Sequence, residues 1–184
     1  MTIIEIDIKE FEEKIYNEYI NLFPDEEQRE WDKIQISYQR GIEKFYKIVE
    51  NDMIIGFFML EKLEENYPYY LDYFGIFKQF QNKGYGTKAI KMLLSKIIGN
   101  EELYIEIEKE NEENKVTIKR AEFYKKLNFK RVESEYLLYN VLYTPYIYTQ
   151  NGEVNKEKVD EIMFNYYIMN CGNEEIQKKC KIVK

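Results

Sequence analysis

The stretch "FKQFQNKGYGTKAIKMLLSKII", residues 77–98, carries five lysines and no acid inside a 184-residue chain of formal net charge -7. From Gly86 onward, Ile90, Leu93, Leu94, Ile97 and Ile98 recur at i, i+3, i+4, i+7 and i+8, which predicts an amphipathic helix closed by Gly99-Asn100. Gly84 and Gly86 sit at its start. The first amides of a helix have no intrahelical partner, the macrodipole places positive charge there, and glycines let a phosphate approach the backbone. Lys78, Lys83, Lys88 and Lys91 add a local positive field to an otherwise acidic molecule. The segment reads as a candidate anion site, weighed against a plainer alternative in which a basic solvated helix face follows a glycine turn.

Working outward, "YYLDYFGI" before the segment and "LYIEIE" (Leu103 to Glu108) after it both read as strands. Upstream, "IIEI" predicts a short strand, and Asp7 with Glu10 offers a capping box for a helix whose apolar face is Phe11, Ile15, Tyr19 and Leu22. A second helix is expected from Asp25 to Gly41, with Trp31, Ile34 and Tyr38 on one face. "FYKIVE" and "MIIGFFML" flank Asn51-Asp52, the signal of an antiparallel hairpin. Downstream come a helix with Phe123, Tyr124 and Leu127, then "FKRVE" and "YLLYNVLY" as strands joined tightly at Ser134-Glu135. The order predicts a mixed α/β fold with a central, mostly antiparallel sheet flanked by helices. "TPYIYTQNGEVN" reads as a turn-rich link to one more amphipathic helix carrying Val159, Ile162, Met163 and Tyr166 and ending near Cys171-Gly172. For "EEIQKKCKIVK" a short strand and a frayed end both stay open.

Composition narrows the chemistry. The chain is 45% hydrophobic and 33% charged, as expected of one folded domain with a modest appendage. No apolar run approaches the ~18 residues of a membrane span, and Glu5 and Asp7 interrupt what would be the apolar core of an export signal, so a cytoplasmic protein is expected. There is no histidine, and the two cysteines, Cys171 and Cys180, read as reduced thiols. That composition removes Ser-His-Asp and Cys-His mechanisms, leaving carboxylate, tyrosine, lysine or water for proton transfer. The 18 tyrosines accompany heavy use of Ile, Lys, Asn and Glu and are weighed by position only.

Three phosphate-binding designs compete for residues 77–98. A P-loop needs four residues between its first glycine and a Gly-Lys-Ser/Thr end, and "GYGTK" lacks that pattern. A dinucleotide site fits literally, with Gly84, Gly86 and Ala89 as G-x-G-x-x-A and Glu106 at the distance of a ribose-binding acid. Its first glycine should nearly abut the strand, however, whereas Phe77 to Lys83 intervene, and too few strand-helix-strand crossovers follow for two mononucleotide-binding halves. The third design matches: "YFGIFKQFQNKGYGTKAI" resembles the acetyl-CoA loop of the GNAT superfamily of N-acetyltransferases, with Gln81, Gly84 and Gly86 at its signature positions. "RAEFYKKLNF" is similar to a second family element, with Asn128 in place of the usual glycine. The resemblance spans about residues 3 to 143, and departs from the family at Ile118, where an asparagine is common.

The resemblance implies a GNAT-like acyl-CoA N-acyltransferase fold and acetyl-CoA as co-substrate, with no metal. It implies that the backbone amides of Gln81, Asn82, Lys83, Gly84, Tyr85, Gly86 and Thr87 cradle the diphosphate. Phe74, Gly75, Ile76, Phe77 and Lys78 would bind pantetheine and polarise the thioester carbonyl as an oxyanion hole. Tyr124 is the expected general acid for the leaving thiolate, and its competing reading is a core tyrosine. Asp72 is the first candidate base, since alternation places residues 70, 72 and 74 on one face, with Glu106 and Glu108 as alternatives. For each carboxylate a solvated or ion-paired structural role competes.

The expectation is an N-acetyltransferase domain over residues 1–144, and a C-terminal extension over 145–184 whose helix packs on that domain and covers part of the acceptor cleft or a homodimer face. Acetyl would pass to a primary amine of a small molecule or peptide by direct attack in a ternary complex. No nucleic-acid or membrane partner is expected. A non-catalytic acyl-CoA-binding module is the alternative, and a dinucleotide-binding oxidoreductase a distant third.

Overall fold

A computed structural model describes residues 1–150 and 152–183. Asn151, within the expected link, and Lys184, at the end of "EEIQKKCKIVK", lie outside the described residues. The chain divides into two compact units, Met1–Gly99 and Asn100–Lys184.

In the first unit the strands β1 (Thr2–Ile6), β2 (Glu43–Glu50), β3 (Met53–Glu61) and β4 (Tyr69–Ile76) pair in that order, each neighbour antiparallel. The β2–β3 hairpin turns at Asn51 and Asp52 with φ of 49° and 60°, the left-handed pair that a two-residue turn requires and that these residue types tolerate. The helix expected from Asp7 is two helices, α1 (Ile8–Lys14) and α2 (Tyr16–Leu22), broken at Ile15 with φ -125°. Asp7 caps α1 by accepting from the Glu10 amide at 2.7 Å. The Glu10 side chain does not return to close a capping box, because Lys47 at 2.6 Å and Lys14 at 3.0 Å hold it. The second expected helix begins late: a single 3-10 turn at Asp25–Glu27 precedes α3 (Trp31–Gln39).

Phe11, Ile15, Tyr19 and Ile34 of these helices join Phe45, Phe57, Met59, Tyr73 and Phe77 in one buried cluster, with Phe11 stacked on Phe45 at 4.3 Å between ring centroids. Helix α4 (Tyr85–Leu93) runs into a π turn at Leu94–Ile98 and buries Ala89, Ile90, Leu93, Leu94 and Ile98, close to the stripe predicted from spacing.

Two strand irregularities matter. Ile48 pairs with Gly56 but Val49 with Ile54, so Ile55 is an extra residue; Met59 pairs with Tyr73 but Leu60 with Leu71, so Asp72 is another. The second is a β-bulge, and it interrupts the strict alternation expected of residues 70, 72 and 74.

In the second unit β5 (Leu103–Glu108) pairs antiparallel with β8 (Val141–Tyr148), which also pairs with β6 (Lys130–Arg131) and β7 (Tyr136–Leu138); β7 pairs in turn with β9 (Cys180–Ile182). Helix α5 (Lys115–Lys126) is capped by Asn114, and Asn128 takes the left-handed φ of 65° expected of a residue standing in for glycine. "YLLYNVLY" is not one strand: Tyr139 and Asn140 turn with φ of 48° and 68° into a β7–β8 hairpin. The expected link is therefore strand through Tyr148. Pro145 fits there with its carbonyl accepting from the Val132 amide at 3.0 Å. The boundary expected after residue 144 falls inside β8. Helix α6 (Lys156–Cys171) buries Val159, Ile162, Met163 and Tyr166 as predicted and ends at Gly172. A further helix, α7 (Asn173–Lys179), leads into β9. Among the described residues no helix is long and apolar enough to cross a membrane.

Gly56 carries a testable consequence of this packing. A Cβ there would lie 2.3 Å from the Gly75 carbonyl oxygen and 2.9 Å from Ile76 Cδ1, so β3 and β4 approach one another only because residue 56 has no side chain. Gly56→Ala is expected to destabilise the protein by roughly 1–3 kcal/mol, as overpacking does, read as a lower denaturant midpoint at unchanged slope.

Candidate active site

The loop after β4 is built to leave amides outward. Lys78–Phe80 form one 3-10 turn, and Gln81 bends back to donate from Nε2 to the Ile76 carbonyl at 2.8 Å. Asn82 (φ 60°) and Gly84 (φ 79°) both take left-handed conformations that reverse the chain into α4. Gly84 is the N-cap, and no side chain caps the helix, whose first turn contains no acid. The unsatisfied amides of the helix start are thus available to an anion. Lys83 donates to the Gln79 carbonyl at 2.9 Å while its Nζ stays exposed near the Phe80 ring, 5.8 Å from the centroid. Lys78 and Lys88 are exposed, and Lys88 lies over the Tyr85 ring at 5.9 Å. On the strand side, Gly75 packs closely: a Cβ there would meet Leu22 Cδ1 and Phe57 Cε1, each at 2.8 Å. Phe74 stacks on Phe58 at 4.8 Å, and the Phe77 amide donates to the Ile55 carbonyl at 2.9 Å.

Asp72 is committed elsewhere. The bulge turns its carboxylate onto Arg29 Nη1, with which it makes a very short ion pair. The same Nη1 lies 2.8 Å from Glu61 and 3.1 Å from Glu43, while Nη2 donates to Ser37 Oγ at 2.9 Å. The Arg29 amide donates to the Tyr19 hydroxyl at 2.8 Å, and the Tyr73 hydroxyl donates to the Glu27 carbonyl at 2.6 Å, so the whole segment before α3 is tied down. Glu43 is at ion-pair distance, yet neither of its buried oxygens has hydrogen-bond geometry to any partner among the described residues.

One guanidinium cannot neutralise three buried carboxylates. Burial pushes Glu43 well above the usual carboxylate range despite the attraction of Arg29, and burial likewise raises Asp72 against the same attraction. The three carboxylates therefore titrate as one coupled group in which burial favours a bound proton, and Glu43 is pushed well above its ordinary value.

In the second unit, Glu106 on β5 accepts from the Tyr167 hydroxyl of α6 at 2.6 Å. Glu108 pairs with Arg120 of α5 at 3.1 Å. Tyr124 lies on α5, buried against Phe123 and Phe129 with centroids 5.1 and 5.2 Å away. Burial pushes its phenol up to about 12, partly offset by Arg120, so it stays protonated across the neutral range.

The sequence matches the model of the GNAT acetyltransferase family over residues 10–129, well over half of the chain. The chain belongs to the GNAT acetyltransferase family. It has the mixed α/β acyltransferase fold of that family. A protein assigned to the GNAT family of acetyltransferases from Bacteroides thetaiotaomicron superposes with a TM-score of 0.79 at 20% identity, covering 94% of this chain and 99% of that one. A GNAT acetyltransferase from Elizabethkingia anophelis with acetyl-CoA bound gives 0.61 at 15% identity, covering 80% and 97%. A spermidine N-acetyltransferase chimera from Vibrio cholerae and hSSAT gives 0.62 at 15% identity, covering 82% and 98%. No curated protein matches the sequence itself. At these identities the structural likenesses establish the GNAT fold.

Sequence reasoning missed Arg29, Glu43, Glu61 and Tyr167. Glu61 ends the otherwise apolar strand β3, a visible hint, but its meeting with residue 29 and with Glu43 at the start of β2 depends on tertiary pairing.

The charge cluster makes stability pH-dependent in a defined sense. Glu43 binds its proton more tightly folded than unfolded, so its contribution is fully present below the ordinary carboxylate range and is lost as pH rises toward its folded value. Glu43→Gln, which mimics the protonated form, is expected to flatten the fall in Tm as pH rises above the ordinary carboxylate range. An unchanged slope in Glu43→Gln would place the excess proton elsewhere.

Proposed function

We propose that this protein transfers an acetyl group from acetyl-CoA to a primary amine of a small molecule or peptide, by direct attack in a ternary complex. The observation that carries this reading is the uncapped start of α4, where left-handed Asn82 and Gly84 turn the loop that follows β4 into a helix whose first amides have no side-chain cap. The amides of Gln81 to Thr87 hold the diphosphate of CoA, and the lysines around them supply the longer-range attraction. Residues Phe74 to Lys78 bind pantetheine and offer backbone donors to the thioester oxygen, which gains negative charge as the amine attacks.

Tyr124 is the proton donor to the departing thiolate. A phenol that stays protonated through neutral pH and sits among apolar rings can supply that proton locally. For the proton lost by the amine, Glu106 is the base this reading favours. Asp72 is enclosed with Arg29 and Glu108 is held by Arg120, while Glu106 is half-buried on β5 and accepts from the Tyr167 hydroxyl. A spermidine N-acetyltransferase among the similar structures makes cationic amines the first class to try, and the acidic balance of the chain is compatible with them. The cytoplasm, where acetyl-CoA is plentiful, is the compartment that suits this activity.

Calorimetry with acetyl-CoA followed by thiol release across a panel of polyamines, aminoglycosides, peptide N-termini and lysine tests the proposal. Binding with no turnover on any amine would favour an acyl-CoA-binding module, and no binding would overturn both readings. Lys83→Glu is expected to weaken acetyl-CoA binding by about tenfold, or ~1.4 kcal/mol. Tyr124→Phe is expected to lower kcat by roughly a hundredfold or more while leaving acetyl-CoA affinity close to wild type.

A further inference from the structure

Asp72 and Tyr73 are consecutive residues of β4, yet both reach the same short segment. The Asp72 carboxylate meets Arg29 Nη1, and the Tyr73 hydroxyl donates to the Glu27 carbonyl at 2.6 Å. In a regular strand successive side chains point to opposite faces, so one segment would not hold both. The bulge removes that conflict, because Met59 pairs with Tyr73 and Leu60 with Leu71 while Asp72 is left as the extra residue.

The segment that holds them is itself anchored. The Arg29 amide donates to the Tyr19 hydroxyl at 2.8 Å, and Gln28 Nε2 donates to the Phe23 carbonyl at 2.7 Å. The Tyr19 and Tyr73 rings meet edge-on with centroids 4.8 Å apart. The Arg29 and Asp72 side chains are only 9% and 8% exposed, so their ion pair is shielded from water and salt.

Beyond the bulge, Phe74 pairs with Phe58, Gly75 with Phe57 and Ile76 with Gly56, and the Phe77 amide donates to the Ile55 carbonyl at 2.9 Å. These are the residues to which the proposed reaction assigns the thioester. Losing the extra residue would shift the pairing on one side of position 72 by one place and turn that side's groups to the opposite face. The same shift would exchange the backbone N–H groups that bond β3 for those that point away from it.

We propose that Arg29 is a positioning residue for the thioester: through Asp72 it holds the bulge in β4, and the bulge sets which backbone donors of Phe74 to Lys78 are turned away from β3 toward the acyl group. This rests on the assignment of those residues to the thioester in the proposed reaction.

The test reads the thioester directly. Acetyl-CoA labelled with 13C at its carbonyl is bound to the protein without an amine, and its C=O stretch is compared by isotope-edited infrared spectroscopy with that of the free thioester. Backbone donors polarise the carbonyl, so the stretch should fall on binding to wild type. Asp72→Ala releases the bulge yet leaves Arg29 with Glu61 and Glu43, and the fall should shrink by about half or more. In the same variant kcat should drop roughly ten- to a hundredfold on the best amine of the panel, with affinity for CoA itself within about twofold of wild type. Tyr73→Phe removes the hydroxyl bond to Glu27 and should move the stretch in the same direction by less. Glu43→Gln alters the same charge cluster without touching the bulge and should keep the wild-type stretch. An unchanged stretch in both Asp72→Ala and Tyr73→Phe overturns the proposal, and so does an equal loss in Glu43→Gln, which marks general loosening of the cluster. Where Asp72→Ala does not fold, Tyr73→Phe decides. A wild-type stretch that stays at the free value overturns the assignment of β4 to the thioester, and the role of Arg29 with it. Failure of wild type to bind acetyl-CoA overturns the acetyltransferase reading as a whole.

Discussion

Arg29 is the constraint around which the first unit is arranged. Its Nη1 gathers Glu43 from the start of β2, Glu61 from the end of β3 and Asp72 from the bulge in β4, and its Nη2 reaches Ser37 of α3. Three neighbouring strands and the helix packed on them are thereby referenced to one side chain. Burying so many charges brings a large desolvation cost, and a well-packed apolar replacement could be as stable. What the cluster supplies is uniqueness. Removing the guanidinium alone would strand the carboxylates, a change that typically costs about 3–5 kcal/mol. The bulge belongs to the same arrangement: without the extra residue at position 72, regular alternation would not place that carboxylate as it is.

The donor half of the chemistry and the acceptor half rest on different kinds of evidence in the chain. In the proposed reaction CoA is met by backbone, and that candidate site is written locally, as a glycine and an asparagine that adopt left-handed turns next to a helix start. An acceptor site would draw on side chains from separated elements, and two of the carboxylates first considered for the base are tied into ion pairs with Arg29 and Arg120. Glu106 accepts from the Tyr167 hydroxyl of α6.

The same distinction explains what was legible in the sequence. The strands, the turn at Asn51-Asp52, the α4 stripe, the left-handed Asn128 and the buried face of α6 are set by spacing and by local residue chemistry. The break at Ile15 carries no glycine or proline, so nothing local announces it. The bulge at Asp72 was equally silent, because an inserted residue in one strand is defined only against its neighbour. Tyr139-Asn140 was read through as strand because tyrosine is a strand former, yet both residues turn. Pro145 lies in a stretch that reads as a turn-rich link, although a proline is compatible with a strand wherever its missing N–H is not needed. The loop residues carry a local motif, whereas Arg29 and Tyr167 do not, since each works through a partner distant in sequence.

The placement of Arg29 also has a kinetic side. Its partners lie 32 and 43 residues away at Glu61 and Asp72, so the cluster closes long loops and its geometry is complete only once β2, β3 and β4 have paired. Such contacts are expected to form late, after the transition state, and interactions absent from the transition state act by slowing unfolding rather than by speeding folding. The buried charges of this unit thereby bear on how long the native state lasts once it has formed.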